Sequence, residues 1–159
     1  ILPSSMAVKS TLLFEVGNSQ YAVPLTYTDA VLSLERKEVY KIQNRLMVNH
    51  QDQTIETVFL RDIFYPEENS ARKEALNSNQ KWNVVLVHYN GKKLGLVVDK
   101  LLQQKEIVEK PLKKPVDLVR YVSGVTILGN GKVCLVVNIP QIIQKLFNYS
   151  VNVNATAVA

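Results

Sequence analysis

The stretch NVVLVHYNGKKLGLVVD, residues 83–99, decides the fold class of this chain. Two apolar runs, 84–87 and 94–98, flank the dipeptide Asn90-Gly91. Both turn residues tolerate positive φ, and Asn-Gly between apolar runs is the strongest short-range signal for a β-hairpin. The stretch therefore predicts two antiparallel strands joined by a tight turn.

Two further hairpins are predicted on either side of this one. Residues 11–16 and 21–25 flank a Gly/Asn turn, and residues 121–128 and 132–137 flank Gly129-Asn130-Gly131. Other runs with strand periodicity and β-branched residues lie at 31–34, 38–43, 45–49, 55–60 and 106–109. The pattern predicts an all-β chain, built as barrels or as a sandwich.

Helical and irregular segments are few. Residues 139–147 place Pro140 near a first helical turn and apolar residues at the spacing of one helix face, which predicts a C-terminal helix. Residues 66–81 are polar and predict a long loop, and we expect the boundary between two lobes there. Residues 148–159 predict a loose tail. The sequence has no repeat of fixed period.

Composition narrows the class of protein. The chain has 159 residues, of which 47% are hydrophobic, enough for a real core. Its apolar runs are far shorter than the roughly 20 residues of a membrane-spanning helix. Cys134 is the single cysteine, so no internal disulfide or cysteine zinc site can form, and a reducing, cytoplasmic location fits best.

Residues suited to catalysis or metal binding are sparse. His50 and His88 have no companion His or Cys at ligand spacing, and the glycines lie at hairpin turns or inside strands rather than between a strand and a helix. Cys134, between Val133 and Leu135, is interpreted as a buried small apolar residue. We therefore expect no catalytic site, metal or cofactor, and a surface that binds a partner.

Two ordered motifs resemble a known family. LGLVVDKLLQQKEIVEKPL (94–112) is similar to the Gly-Leu-Val-Val-Asp, Gln-Gln-Glu and Lys-Pro-Leu elements of the CheW-like regulatory domain of CheA-type chemotaxis histidine kinases. SGVTILGNGKV (123–133) resembles that family's Ser-Gly-Ala-Thr-Ile-Leu-Gly-Asp-Gly segment. The first hairpin resembles its opening strands, so the resemblance covers residues 10–147.

The resemblance implies two intertwined, SH3-like, five-stranded β-barrel subdomains packed together, with a C-terminal helix and no active site. Residues 1–9 include a segment similar to the junction with an upstream ATP-binding domain, which favours a piece of a kinase whose catalytic parts lie upstream. A free-standing CheW-type coupling adaptor remains an alternative. Residues 55–60 depart from the family's usual apolar pattern, and we expect an altered choice of partner there.

The implied partners are a CheW-type coupling protein, the cytoplasmic tip of a chemoreceptor and the upstream kinase domains, with the membrane reached only through receptors. By position, the candidates for a receptor groove are Thr28, Ala30, Val31, Val97 and Val98. Candidates for adaptor contact are Leu128 and Asn130 at the third hairpin turn. Core packing is the alternative for the three valines and for Leu128.

The positive net charge leaves a second class of function open, namely nucleic-acid binding. The formal net charge of +5 is concentrated in the second half of the chain, which could attract nucleic acid, an anionic membrane face or an acidic protein. Small barrels bind single strands through aromatic platforms, for which Tyr89 and Tyr121 are the available residues. Solvated lysines that discourage edge pairing explain the same charge without a ligand.

Overall fold

The computed structural model describes residues 8–17, 19–43, 45–65, 81–111 and 121–147. The predicted tail, most of the linker and residues 66–80 of the predicted loop lie outside these residues. The strands and the first helix are β1 Val8–Val16, β2 Ser19–Pro24, β3 Thr28–Leu34, β4 Val39–Ile42, β5 Arg45–His50, β6 Gln53–Phe59, α1 Leu60–Phe64, β7 Trp82–Tyr89, β8 Lys92–Val98, β9 Lys100–Val108, β10 Lys110–Pro111, β11 Val122–Ile127 and β12 Val133–Val137. Helix α2 covers 139–147.

All three predicted hairpins are confirmed, as β1–β2, β7–β8 and β11–β12. The turn of β7–β8 has φ of 54° at Asn90 and 79° at Gly91, the left-handed conformation for which this dipeptide is suited. Its register pairs Val85 with Leu96 and Tyr89 with Lys92. The turn thereby fixes which side chains of the two strands share a face.

The strands form two sheets that close into barrels. The sheet β10-β11-β12-β2-β1-β9 is called here the terminal barrel, and the sheet β3-β7-β8-β6-β5-β4 the central barrel. In the terminal barrel β9 continues through Glu109 into β10, and in the central barrel β3 continues through a 3-10 turn, Arg36–Glu38, into β4. Each sheet has six strands, or five when the bent strand is counted once. The all-β fold of two SH3-like barrels is confirmed.

The loop expected at residues 66–81 does not separate the strands of one sheet from those of the other. Hairpin β1–β2 joins β9–β12 through the parallel pair β2·β12, and hairpin β7–β8 joins β3–β6 through the parallel pair β6·β8. Each barrel therefore takes strands from both sides of that loop. Periodicity shows that a segment is a strand, but it does not show which strand it pairs with, so the intertwining was expected from the family resemblance alone.

The topology repeats although the sequence has no fixed period. A hairpin, a bent strand, a second hairpin and a helix follow one another in residues 8–64 and again in residues 82–147. Ala22 pairs with Val136 in the terminal barrel, and Gly95 pairs with Thr57 at the corresponding place in the central barrel. Leu60 and Ile139, which begin the two helices, are both fully buried.

A shared core joins the barrels. The ring of Tyr21 stacks on Phe14 at 5.9 Å and on Phe64 at 4.8 Å between centroids, which connects β1, β2 and α1. Burial, and secondarily a 3.3 Å hydrogen bond between the hydroxyls of Tyr21 and Tyr65, raises the pKa of Tyr21. Ile142 and Ile143 of α2 are buried in the same cluster, so the predicted C-terminal helix is confirmed.

Some element bounds differ from those predicted. Helix α1 was missed because five residues are too few to show a helical period. Strand β1 begins at Val8 rather than at residue 11, and β9 begins at Lys100 rather than at residue 106. The start of β9 carries two Lys and two Gln among residues 100–105, which interrupts the apolar alternation of a strand, and its pairing with β1 holds it extended.

Candidate docking surfaces

The candidate groove residues on β3 lie at the surface of the central barrel. Thr28 and Ala30 are half-buried and Val31 is 42% exposed. Thr28 pairs with Val87 and Ala30 with Leu86, and the register shifts between these pairs. The Oγ1 of Thr28 donates a hydrogen bond to the carbonyl of Pro24 at 3.1 Å, which holds the start of β3 in place. Ala30 packs against the core of the central barrel, whereas Val31 points to the opposite, exposed face of the strand. The exposed side of β3 around Val31 is called here the β3 face.

Val97 and Val98 do not belong to that surface. Both are buried in β8, and β7 separates them from β3 because Val84 pairs with Val97 and with Leu32. Val97 packs in the core of the central barrel and Val98 in the core shared by the barrels. The core interpretation of these two valines therefore replaces their expected exposure in a groove.

The third hairpin turn separates Leu128 from Asn130. Leu128 is only 8% exposed and packs on Leu13 in the core of the terminal barrel, so its expected exposure at the turn is wrong. The reason is the alternation of β11, since Leu128 continues the inward positions of Gly124 and Thr126, and the amide of Gly131 donates to the carbonyl of Leu128 at 2.8 Å to close the turn. Asn130 is exposed, and its Oδ1 accepts from the amide of Lys132 at 3.0 Å.

Sequence reasoning missed a line of exposed aliphatic side chains on the terminal barrel. Val8 pairs with Val108, and Ile127 pairs with Val133. The pairing of Lys110 with Val125 and of Pro111 with Gly124, continued past Glu109, places Val108 opposite Ile127. Ile127 is 64% exposed and Val133 58%. The four residues Val8, Val108, Ile127 and Val133 are called here the aliphatic row.

A signal for this row exists in β11. Its inward positions after Val122 carry Gly124 and Thr126, and its outward positions carry the larger Val125 and Ile127. Strands of a barrel normally place their larger aliphatic residues inward. In β11 the larger aliphatic residues lie outside instead, where they form an exposed apolar surface. Such a surface is typical of a face that binds another protein.

Two cavities meet next to the aliphatic row. One of about 430 Å³ is lined by Leu13, Leu102 and Leu128, with Lys100 and Lys105 among its polar residues. The other, of about 300 Å³, lies between β9 and β11 and is lined by Val108 and Ile127, among others. Lys105 and Leu128 line both cavities. The surface combines an apolar floor with a positively charged rim.

The atypical segment of the central barrel keeps its charge at the surface. In β6 the side chains of Ile55, Thr57 and Phe59 are buried, whereas Glu56 points outward. The Nε of Arg45 on the neighbouring strand lies 3.9 Å from Oε1 of Glu56. Glu56 therefore places no charge in the core. It adds a negative charge to the outer face of the central barrel.

The described part of the terminal barrel core contains a cysteine thiol. Cys134 is fully buried there, as the sequence predicts, and burial raises the pKa of its thiol to about 11. His88 Nδ1 lies 2.7 Å from Asp29 Oδ1, which joins β7 to β3 at the surface. In the described ranges no three His, Cys, Asp or Glu side chains lie close enough together to bind a metal ion.

The aromatic residues needed for nucleic-acid stacking are largely occupied. Tyr89 and Tyr121 are both half-buried, and the ring of Tyr89 packs edge-on against Tyr27 at 6.2 Å between centroids. Stacking of bases requires open aromatic faces. The packing of Tyr89 therefore does not favour this alternative. Separately, none of the described helices is long and apolar enough to cross a membrane.

Comparison with known proteins gives the family. Residues 10–147 match the CheW-like domain family. The chain is 28% identical over 152 residues to the sensor histidine kinase CheAY of Helicobacter pylori, a match that covers 96% of this chain and 18% of that protein. It is 27% identical over 137 residues to the chemotaxis protein CheA of Bacillus subtilis, with 86% of this chain and 20% of that protein covered.

A solved structure has the same fold. The scaffolding protein TtCheW from Thermoanaerobacter tengcongensis aligns with a TM-score of 0.65 at 18% sequence identity, covering 82% of this chain and 89% of that one. This chain spans about a fifth of the length of the kinases it matches. Because the family match covers most of the chain, this chain belongs to the CheW-like domain family.

Proposed function

We propose that this chain is the non-catalytic regulatory domain of a CheA-type chemotaxis histidine kinase. In this role it docks a CheW-type coupling protein and the cytoplasmic tip of a chemoreceptor, and it controls the activity of kinase domains elsewhere in the same protein. It acts in the cytoplasm and reaches the membrane only through receptors.

The extent of the alignments carries this proposal. The kinases of Helicobacter pylori and Bacillus subtilis each match nearly all of this chain with only about a fifth of their own length. Alignments that cover most of one chain and a small part of the other are expected when the first chain corresponds to one domain of a larger protein. The catalytic steps of a kinase would then belong to domains outside this chain.

The two surfaces suit two different partners. The aliphatic row is an exposed apolar surface of the kind that forms the centre of a protein–protein interface, and we assign it to the coupling protein together with Asn130 at the adjacent turn. The β3 face lies on the other barrel, and we assign it to the receptor tip. Separate faces would allow both partners to bind at once.

A binding experiment tests the docking function. The purified chain is titrated with a CheW-type coupling protein and, separately, with a receptor cytoplasmic fragment, by isothermal titration calorimetry. Saturable binding of both partners supports the proposal. Absence of binding to either one, with the chain shown to be folded by circular dichroism, would overturn it.

A free-standing coupling adaptor is the second candidate. The observation in its favour is that the chain covers 89% of the scaffolding protein TtCheW, so a protein of this size can stand alone. The gene sequence upstream of Ile1 separates the two candidates. An ATP-binding domain encoded in frame supports the kinase, and a start codon close to Ile1 supports the adaptor.

A further inference from the structure

The chain contains the tripeptide Asn-Gly-Lys twice, at residues 90–92 and at residues 130–132. Both copies lie at hairpin turns, the first between β7 and β8 and the second between β11 and β12, and both asparagines are exposed. Because the same three residues are present at both turns, a difference in their reactivity has to come mainly from the fold.

An asparagine followed by glycine can react within its own chain. The main-chain nitrogen of the glycine, after losing its proton, attacks Cγ of the asparagine side chain and forms a five-membered succinimide, and the side-chain amide leaves as ammonia. Water then opens the ring at either carbonyl, which gives aspartate or isoaspartate. The reaction requires a mobile asparagine side chain and a glycine nitrogen that is free to attack, and glycine has no Cβ to obstruct the ring.

In the turn between β11 and β12 both reacting groups are held by hydrogen bonds. The amide of Gly131 donates to the carbonyl of Leu128 at 2.8 Å, and Oδ1 of Asn130 accepts from the amide of Lys132 at 3.0 Å. Attack of the Gly131 nitrogen on the Asn130 side chain would break both bonds. The fold therefore protects this copy.

In the turn between β7 and β8 both reacting groups are free. Among the described residues, neither the Asn90 side chain nor the Gly91 amide has a hydrogen-bond partner. The two-residue turn is closed by the pair Tyr89 and Lys92 on either side of it. The side chain and the nitrogen can therefore approach each other without the loss of a hydrogen bond.

We propose that Asn90 is a site of spontaneous covalent modification in the folded protein. It is converted through a succinimide with Gly91 to aspartate or isoaspartate, with release of ammonia and uptake of one water, whereas the fold spares Asn130. This modification is independent of the partners that the domain docks.

Isoaspartate at position 90 would change the turn itself. It adds one carbon to the main chain, whereas a two-residue turn matches the twist of its strands with a main chain of normal length. The ring of Tyr89, next to the turn, packs edge-on against Tyr27, and Nζ of Lys92 lies 5.3 Å from the centroid of the Phe147 ring. The modification should therefore loosen the contacts of this hairpin with the segment before β3 and with α2.

Peptide mapping after incubation tests the site. The purified whole chain, shown to be folded by circular dichroism, is kept at mildly alkaline pH, and a second sample is kept in the same buffer with denaturing guanidinium chloride. Mass spectrometry of the digested peptides measures the conversion at residues 90 and 130. Isoaspartate is counted by enzymatic methylation of its carboxylate.

The denatured sample supplies the reference rate for each site. Both sites should react at similar rates in denaturant. In the folded chain, conversion at Asn90 relative to its reference should exceed that at Asn130 about tenfold or more, because two hydrogen bonds must break at the second site. Equal relative rates, a faster reaction at Asn130, or an unreactive Asn90 in the folded chain would each overturn the proposed site.

A pair of variants tests the structural consequence. In Asn90→Gln the longer side chain would have to close a less favourable six-membered ring, so this variant should keep its melting temperature during incubation. The wild type and Asn130→Gln should both accumulate a population of lower melting temperature. Ion-exchange chromatography also separates the converted wild-type chain by its added negative charge, so its melting can be measured without a variant. An unchanged melting temperature of chains with isoaspartate at position 90 would overturn the loosening of the hairpin.

Discussion

The Nζ of Lys9 lies 2.6 Å from Oε1 of Glu109, although a hundred residues separate them in sequence. The Oγ of Ser123 donates to the other oxygen of the same carboxylate at 2.7 Å. The Glu109 side chain is only 8% exposed. Glu109 lies between β9 and β10, so its carboxylate connects β1, β11 and the bend that closes the terminal barrel.

Glu109→Gln should destabilise the protein. The amide keeps the shape of the side chain but leaves the Lys9 ammonium without its ion pair, and hydrogen bonds to charged groups contribute more than neutral ones. We expect a loss of about 1–2 kcal/mol in urea unfolding. The control is Lys37→Ala, which removes the exposed ion pair with Glu35 and should cost less than about 0.5 kcal/mol. Equal losses would contradict a special role for Glu109.

Gly124→Ala should destabilise the protein more than Glu109→Gln does. An added Cβ would lie 2.5 Å from Oε2 of Glu109 and 2.6 Å from the carbonyl oxygen of Lys110. The carbonyl belongs to the paired backbone and cannot move aside cheaply, so we expect a loss of about 2–3 kcal/mol. At Gly129 nothing lies within 4 Å of an added Cβ, and Gly129→Ala should be close to neutral. Thermal unfolding of both variants measures the difference.

Gly95→Ala tests the correspondence between the two barrels. A Cβ at Gly95 would lie 2.8 Å from Oγ1 of Thr57 and 3.1 Å from Val84, whereas Ala22 already occupies the corresponding position in the terminal barrel. We expect a loss of about 1–3 kcal/mol. The double variant Gly95→Ala/Thr57→Ala should lose less than the sum of the single variants, because the nearest contact is gone. Additive losses would show that Thr57 is not the obstacle.

Alkaline pH should weaken the fold partly through Cys134. Burial raises the pKa of this thiol from 9.0 to about 11, so the folded state holds the proton more tightly than the unfolded chain does. The corresponding stability, on the order of 2 kcal/mol, is fully present below pH 9 and decreases as pH rises toward 11.

The measurement for Cys134 compares slopes rather than absolute stabilities. The free energy of unfolding is determined by urea titration at several values between about pH 8 and about pH 10.5. The slope should be shallower in Cys134→Ala than in the wild type. A residual decrease is expected from Tyr21, whose pKa is also raised by burial. Identical slopes would rule out a contribution from Cys134.

Substitutions on the two surfaces should separate the two partners. Ile127→Glu should weaken binding of the coupling protein about tenfold or more, and Val31→Glu should weaken binding of the receptor fragment similarly. Both residues are exposed, so unfolding free energies should change by less than about 1 kcal/mol. Each variant is the control for the other. Loss of both partners in either variant would contradict separate faces.

The sequence predicts the hairpins well because their signals are local. Asn90-Gly91 and Gly129-Asn130-Gly131 lie between apolar runs, and the strands they join follow from that. The closing helix is equally local, since its apolar residues are spaced along one face. Strand β9 could not be bounded in this way, because residues 100–105 are extended only by pairing with a strand far away in sequence.

The surfaces were harder to predict than the fold. Alternation gives the two faces of a strand but not which face is inside, and this explains why Val97 and Val98 were proposed as contacts. In β8 every residue from Leu94 to Val98 is buried, because the barrel core covers one face and the shared core the other. Ile127 was passed over because large aliphatic residues are normally assigned to the interior.

Hairpin β1–β2 completes the barrel formed by β9–β12, and hairpin β7–β8 completes the barrel formed by β3–β6. Because of this exchange, neither half of the domain should fold alone. A break in the segment between α1 and β7 would yield two fragments, each with a hairpin that completes the barrel of the other. Neither fragment could close a sheet by itself, but a mixture could restore both barrels. The two barrels should therefore melt in a single transition, and a disturbance at one docking face affects the thermodynamic stability of the whole domain.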